Sequence, residues 1–472
     1  MVQHRTPNPL IKYSYISPEQ KDEEELKGEQ SVIPAFCTLS SKKTRRAAEI
    51  RGQSNTSGKT SIHKIDISQF TNHLDQVPKI KGIKKQELLA LYIAKCQDLR
   101  INASKQQMHR FFDSIVKNHQ TEGTRKLNLA DLALGDSALS VVTKILRNNK
   151  KFAQVDLSKN NFSCSGLKQL ASVIERHNTT IVHLNIGGNA IQIEGTTHLF
   201  RCLQGHPSLT SLDLANNDCY KNKIKIGAKG AEELQTLLLD PHCLISNLNL
   251  TDNALTLEAL NFVITGVQSC NTLISLNLTQ NDIGLSNANF SSLLRIFDSD
   301  CVLQELNLSE NQLQDKHIEE LATKISTSKR LQLTSLNIGS NKFSHRGVAS
   351  LLSTLSNNTK IPISKLILNN NILESNQKPR SEPGFMFFTR SLISLMHQSK
   401  TLTHLSMASC NLGKETALAI GEGLNKNTKL MTLNLRGNQI KMNGVREIVK
   451  ACYENSKLCL RHVDFSSNHL CD

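Results

Sequence analysis

The stretch Gly52–Thr60, GQSNTSGKT, ends as a phosphate-binding loop ends, in Gly58-Lys59-Thr60. Such a loop cradles phosphates on its backbone N–H groups, and it needs a first glycine five residues before the second, between a buried strand and a helix. Gln53 occupies that position, Gly52 stands one residue too early, and the preceding KKTRRAAEIR is too charged for a buried strand. The interval between Thr60 and a repetitive region starting near residue 124 is too short for a nucleotide-binding α/β core. The segment reads as polar linker. Acid–base chemistry would need a histidine with a carboxylate or cysteine beside it. His183, His404 and His462 stand singly on expected strands, without such a partner at strand spacing. Twelve cysteines are scattered with no CxxC pair, which excludes a zinc ribbon and argues against a disulfide framework. The expectation is no catalytic residue, no metal, no cofactor and no small-molecule substrate.

What positions these residues is a repeat. Aligned on one asparagine, the chain reads VDLSKNNF, LNIGGNAI, LDLANNDC, LNLTDNAL, LNLTQNDI, LNLSENQL, LNIGSNKF, LILNNNIL, LSMASCNL, LNLRGNQI and VDFSSNHL. The anchors run from Asn160 to Asn468, Cys410 replaces asparagine once, and a degenerate unit with Leu132 precedes them. In each LNL the two leucines share one face of a strand and point inward, and the residue between them points out of the open face. The anchor amide satisfies backbone groups where the chain leaves the strand. A glycine six residues on (Gly166, Gly195, Gly347, Gly444) is expected to open a helix, whose stripe, such as Leu167, Leu170 and Ile174, packs beneath the strand.

This LxxLxLxxNxL pattern is the leucine-rich repeat, and the 28 to 30 residues between most anchors resemble the ribonuclease-inhibitor-like class. The resemblance implies an α/β solenoid, a horseshoe of about twelve repeats over residues 124–472, with one parallel strand and one helix per repeat. Residues 61–123 are expected to form an N-terminal helical cap. Their amphipathic segments QELLALYIAKCQDL and SKQQMHRFFDSIVKNH carry a capping-box pair, Ser104 and Gln107, and a stripe of Met108, Phe111, Phe112, Ile115 and Val116. Residues 1–60, rich in Pro, Lys, Glu and Ser, are expected to be a basic disordered tail.

Two units depart from the repeat in the same way. From Asn217 to Gly230, and from Asn371 to Gly384, the interval is thirteen residues instead of six, so each carries a seven-residue insertion on the same rim. The first brings Lys221, Lys223, Lys225 and Lys229, suited to an acidic surface. The second precedes Met386 and Phe387, which occupy places filled elsewhere by Lys168-Gln169 or Glu232-Glu233 and so form a candidate interface anchor. Beside it, the uniform Asn or Asp between the strand leucines becomes Ile367 and Ser406. Lys365, Ile367, His404 and Ser406 are therefore a local departure in the lining.

A net charge of +15 favours acidic partners, and residues 1–123 carry 20 Lys and Arg against 13 Asp and Glu, compared with 36 against 28 in the rest. Nucleic acid is disfavoured, because the lysine finger lacks interleaved aromatics. No run reaches the ~18 apolar residues of a membrane span, and the opening MVQHRTPNPL lacks the apolar core of a secretory signal. The expectation is a cytoplasmic, non-enzymatic protein-binding scaffold, a subunit of a larger cytoskeletal or ciliary (axonemal) assembly. Two alternatives stand beside it: a GTPase-activating protein of the Ran-activator type, whose acidic terminal segment this sequence does not carry, and a bacterial effector that binds a host protein. Ribonuclease inhibition is disfavoured because it requires an acidic face. Nucleotide-binding immune receptors share the repeat class, but no counterpart of their ATPase module is expected here.

Overall fold

The computed structural model describes residues 12–13, 74–119, 125–216, 226–298, 301–328, 330–358, 360–374 and 382–468. The glycine-rich stretch 52–60, nearly all of the expected tail, and Lys221, Lys223 and Lys225 lie outside the described residues.

Twelve three-residue strands, from Lys126–Asn128 to His462–Asp464, pair in parallel with their sequence neighbours and form one open sheet. The register is constant: Leu127 pairs with Val155, Leu184 with Leu212, Leu366 with Leu405. Lys12–Tyr13, within the segment expected to be tail, adds a further parallel strand against His462–Val463. The middle residue of each strand is buried while its neighbours face outward, because side chains alternate along a strand. Fixing a full column of leucines in this interior contributes on the order of 1.5–3 kcal/mol per side chain.

The helices form the second layer. In Cys164–His177, Ser163 accepts from the Ser165 N–H at the start, and Leu167, Leu170 and Ile174 are all at most 1% exposed, as their 3.6-residue spacing requires. The conserved-spacing glycines do not open the helices. Gly166 is the third residue of its helix and Gly347 the third of His345–Asn357. Their reason is close approach: a Cβ on Gly347 would sit 2.7 Å from Asp315 Cα in the preceding helix. One unit is irregular, with a short helix Asn287–Leu294 between 3₁₀ turns Ile283–Leu285 and Arg295–Asp298.

The anchors build the expected ladder. Asn281 Nδ2 donates to Leu250 O of the preceding unit and Leu278 O of its own, while its Oδ1 accepts from the Asn253 N–H at 3.0 Å. The same Oδ1 contact recurs at Asn311, Asn341 and Asn371, each accepting from the anchor before it.

A second, unanticipated set of bonds joins neighbouring helices. Asp136 accepts from the Ser163 N–H, and Asp315 from the Ser344 N–H and, at 3.2 Å, the Gly347 N–H. Each acid thus caps the next unit's helix, whose first N–H groups have no partner of their own. The N-terminal part copies this device. Asp98, near the end of helix Lys85–Leu99, accepts from the N–H groups of Gly135, Ser137 and Ala138 at 2.8–3.0 Å, so that helix stacks on the first repeat as a repeat helix would. Helix Lys105–His119 buries Met108, Phe111, Phe112 and Ile115, and Phe111 and Phe112 pack with Tyr92.

Candidate partner-binding site

The open face of the sheet presents the first and third residue of each strand. Its third-position Asn and Asp side chains are turn acceptors. Asn277 Oδ1 accepts from the Thr279 N–H, Asn307 from Ser309, Asp464 from Ser466, always two residues on, where the chain bends away from the sheet. This gives the departure at Ser406 a structural account. Asn369 of the preceding unit reaches across, accepts from Ser406 Oγ at 2.7 Å, and takes the Ala408 N–H at 2.9 Å that an asparagine at position 406 would have held. Ile367 has no such explanation in the hydrogen bonding.

Of the expected site residues, Lys365 and His404 are brought together as exposed partners on adjacent strands, and Ile367 faces Ser406. His404 Nδ1 lies 2.8 Å from Thr403 Oγ1, and its strand neighbours are Lys365 and Thr432. His183 lies between Gln154 and Ser211, so no carboxylate adjoins either imidazole on the paired strands. Met386 and Phe387 belong to the other layer, in helix Pro383–Gln398, with exposures of 41% and 48%. Lys229 is exposed in helix Gly227–Leu239, several units away. The expected residues therefore form separate surfaces.

The second insertion springs from a firmly held base. On its N-terminal side, Glu374 Oε2 accepts from the Gly413 N–H at 2.6 Å and Thr416 Oγ1 at 2.7 Å, doing for the next helix what Asp315 does elsewhere. On its C-terminal side, Glu382 pairs with Arg346 and lies 3.8 Å from His345 Nε2, whose ring meets Phe385 edge-on. The two residues that flank the insertion, Glu374 and Glu382, are thus bonded forward to one unit and back to another. Next to it Ile372 is 69% exposed in a column otherwise filled by residues such as Ala254, Gln312, Lys342 and Asn411. That contrast was available in the alignment and marks the residue missed by sequence reasoning. The following anchor is Cys410, whose Sγ donates to Leu368 O and Ala408 O, with burial pushing its thiol up to about 12.

Two sizeable concavities stand out beside a smaller one near Phe297 among the described residues. One of about 290 Å³ lies between the N-terminal helices, lined by Tyr92, Lys95, Arg110 and Phe111, where burial lowers the Lys95 ammonium below its usual range. One of about 490 Å³ runs along the rim past Asp252, Asp282 and Glu310. Among the described residues, no group of three or more His, Cys, Asp or Glu could hold a metal ion, and no helix is long and apolar enough to cross a membrane.

The family model described as "Leucine Rich repeat" matches residues 177–196, 269–286, 299–322, 398–421 and 426–449. Together with the strand–helix alternation and the asparagine ladder, this decides the family. The chain is a leucine-rich repeat protein of the ribonuclease-inhibitor-like class. This leucine-rich repeat chain is 31% identical over 117 residues to the ribonuclease inhibitor of Sus scrofa, covering 25% of this chain and 24% of that protein. It is 25% identical over 227 residues to NACHT, LRR and PYD domains-containing protein 4E of Mus musculus, covering 45% of this chain and 22% of the relative. The chain spans about a quarter of these relatives' length. A crystal structure of the Rad7 and Elc1 complex in yeast superimposes with a TM-score of 0.44 and 17% identity, over 86% of this chain and 87% of that one. Repeat arrays of this kind are protein-interaction scaffolds.

Proposed function

We propose that this leucine-rich repeat protein is a non-enzymatic scaffold that holds a partner protein at the second insertion, with Met386 and Phe387 as apolar anchors. The observation that carries the reading is their exposure on a helix face where other repeats place charged and polar side chains such as Lys168 and Gln169. Truncating buried aromatic anchors at interfaces commonly costs more than 2 kcal/mol of binding. Lys365, Ile367 and His404 on the open face, and the lysines of the first insertion with Lys229, are secondary contacts in this proposal. The finer reading is a subunit among cytoskeletal or ciliary neighbours with acidic surfaces, supported by the net charge of +15.

The test is affinity purification of the tagged full chain from its own cells, beside a Met386→Asp/Phe387→Asp variant and a Lys365→Glu/His404→Asp variant. A discrete protein lost from the first variant and reconstituted with purified components supports the reading. Unchanged recovery of every partner from both variants refutes it, as does stimulated GTP hydrolysis by a co-purifying GTPase.

A further inference from the structure

Positive charge is concentrated at one end of the repeat array. Residues 74–151 hold 15 Lys and Arg against 7 Asp and Glu, a net +8 of the chain's +15. Two segments far apart in sequence, KIKGIKK at 79–85 and KILRNNKK at 144–151, carry most of this charge and contain no acidic residue.

The fold places the two segments side by side. Asn149 Nδ2 donates to Gly82 O, filling the role that Leu146 O plays for Asn178 and Met396 O for Asn427 in later units. Gly82 adopts φ 94°, and a Cβ there would come within 2.9 Å of Asn149 Nδ2 and 3.0 Å of Phe152 Cζ, so the approach depends on glycine. Lys79, Lys81 and Lys84 from the loop and Arg147, Lys150 and Lys151 from the end of helix Asp136–Asn148 and the turn after it are all exposed. None of the six forms an ion pair among the described residues. Glu87, nearby in sequence, turns its carboxylate onto the Lys84 N–H at 2.9 Å as part of a helix cap.

Six like charges held by rigid backbone repel one another and gain by meeting an anion. We infer that this surface docks an acidic, Asp- and Glu-rich segment of a partner polypeptide. It rests on the protein-binding reading in taking a protein as ligand, but uses a surface separate from Met386 and Phe387. Three features favour a polypeptide. The aromatic ring at the patch, Phe152, is fully buried and offers no base a stacking platform. Five of the six cations are lysines, point charges without the guanidinium fork that suits phosphates and base edges. The apolar residues of both segments, Ile80, Ile83, Ile145 and Leu146, are buried, leaving nothing to insert into a bilayer.

The experiment measures binding of the full chain to a fluorescent oligo-glutamate peptide by anisotropy, beside duplex DNA and phosphatidylserine vesicles. The Lys81→Glu/Lys84→Glu/Lys150→Glu/Lys151→Glu variant is expected to weaken oligo-glutamate binding at least about tenfold and to flatten its salt dependence. The matched reversal Lys414→Glu/Lys426→Glu/Lys441→Glu/Lys450→Glu and the Met386→Asp/Phe387→Asp variant are expected to stay within about twofold, so failure here and failure of the interface at Met386 are read separately. Should the first variant fail to fold by circular dichroism, the same four positions changed to Gln are used, with an expected loss of several-fold. Equal losses in the two reversal variants would reduce the effect to net charge and overturn the proposal. So would tighter binding of DNA or vesicles than of oligo-glutamate through the same residues.

Discussion

Between Asn253 and Asn371 the asparagine ladder is regular, and every anchor N–H donates to the Oδ1 of the next anchor at 2.9–3.0 Å. Between Asn371 and Asn438 it is not. Cys410 keeps the donating half of the asparagine's role but offers Asn371 only a weak sulfur acceptor, while Asn438 resumes the pattern by accepting from the Cys410 N–H. The same junction carries the insertion, Ile367 and Ser406. It is held instead by Glu374, bonded through its carboxylate to Gly413 and Thr416 and through its carbonyl to Asn411 Nδ2, and by the Asn369 contact to Ala408. A solenoid thus releases its repeat rule where longer side chains staple the two units together.

The largest loss of stability is expected in the regular ladder. Asn311→Ala leaves the Asn281 and Ile283 N–H groups unpaired in the interior and removes one of the two donors to each of the Leu278 and Ser309 carbonyls. A loss of about 3 kcal/mol is expected in urea unfolding, and Cys410→Ala should cost less than half of that. Glu374→Ala should be the next largest, about 2 kcal/mol, and should exceed Asp315→Ala because no anchor rung backs it up. Hydrogen exchange of residues 411–424 reads this directly, and equal protection in both variants would show that the acid is not the staple. Cys410→Asn should restore the rung and add about 1 kcal/mol; a loss instead would mean that the junction geometry no longer admits one.

The smallest effect concerns pH. His206, 6% exposed, sits where other units place an asparagine; its Nε2 donates to Asn178 O while Nδ1 accepts from the Leu209 N–H at 3.1 Å. Burial lowers its pKa from the ordinary 6.5. The unfolded chain therefore takes up a proton at 6.5 while the folded chain does not, so stability is unaffected above that pH and falls as pH drops below it. His206→Gln should shrink the decline between pH 7 and 5 in thermal melts, and an unchanged decline would assign it to other groups.

Much of this architecture was legible in sequence because its causes are local or strictly periodic. The anchor asparagines, the Leu167–Ile174 stripe, the Ser104–Gln107 cap contact and the exposure of Met386 and Phe387 all follow from position within a repeat. The Asn and Asp column on the open face was visible, but its turn-acceptor role was not read, although its partner amide lies only two residues away. Asp98, Asp136, Asp315 and Glu374 were not legible, since their amide partners lie 27 to 40 residues downstream and adjoin them only after units stack. The helix-opening role expected of Gly166 and Gly347 failed for the same reason, because the constraint comes from the neighbouring helix.

By itself, then, the sequence determined which residues turn inward, where each strand bends and how many units stack, because burial and backbone satisfaction recur at fixed spacing within each unit. Only the tertiary structure decided how neighbouring units hold one another and which charges share a surface. The pairing of Lys79–Lys84 with Arg147–Lys151, and the staple from Glu374 to Gly413, depend on distances across the stack that no single repeat encodes.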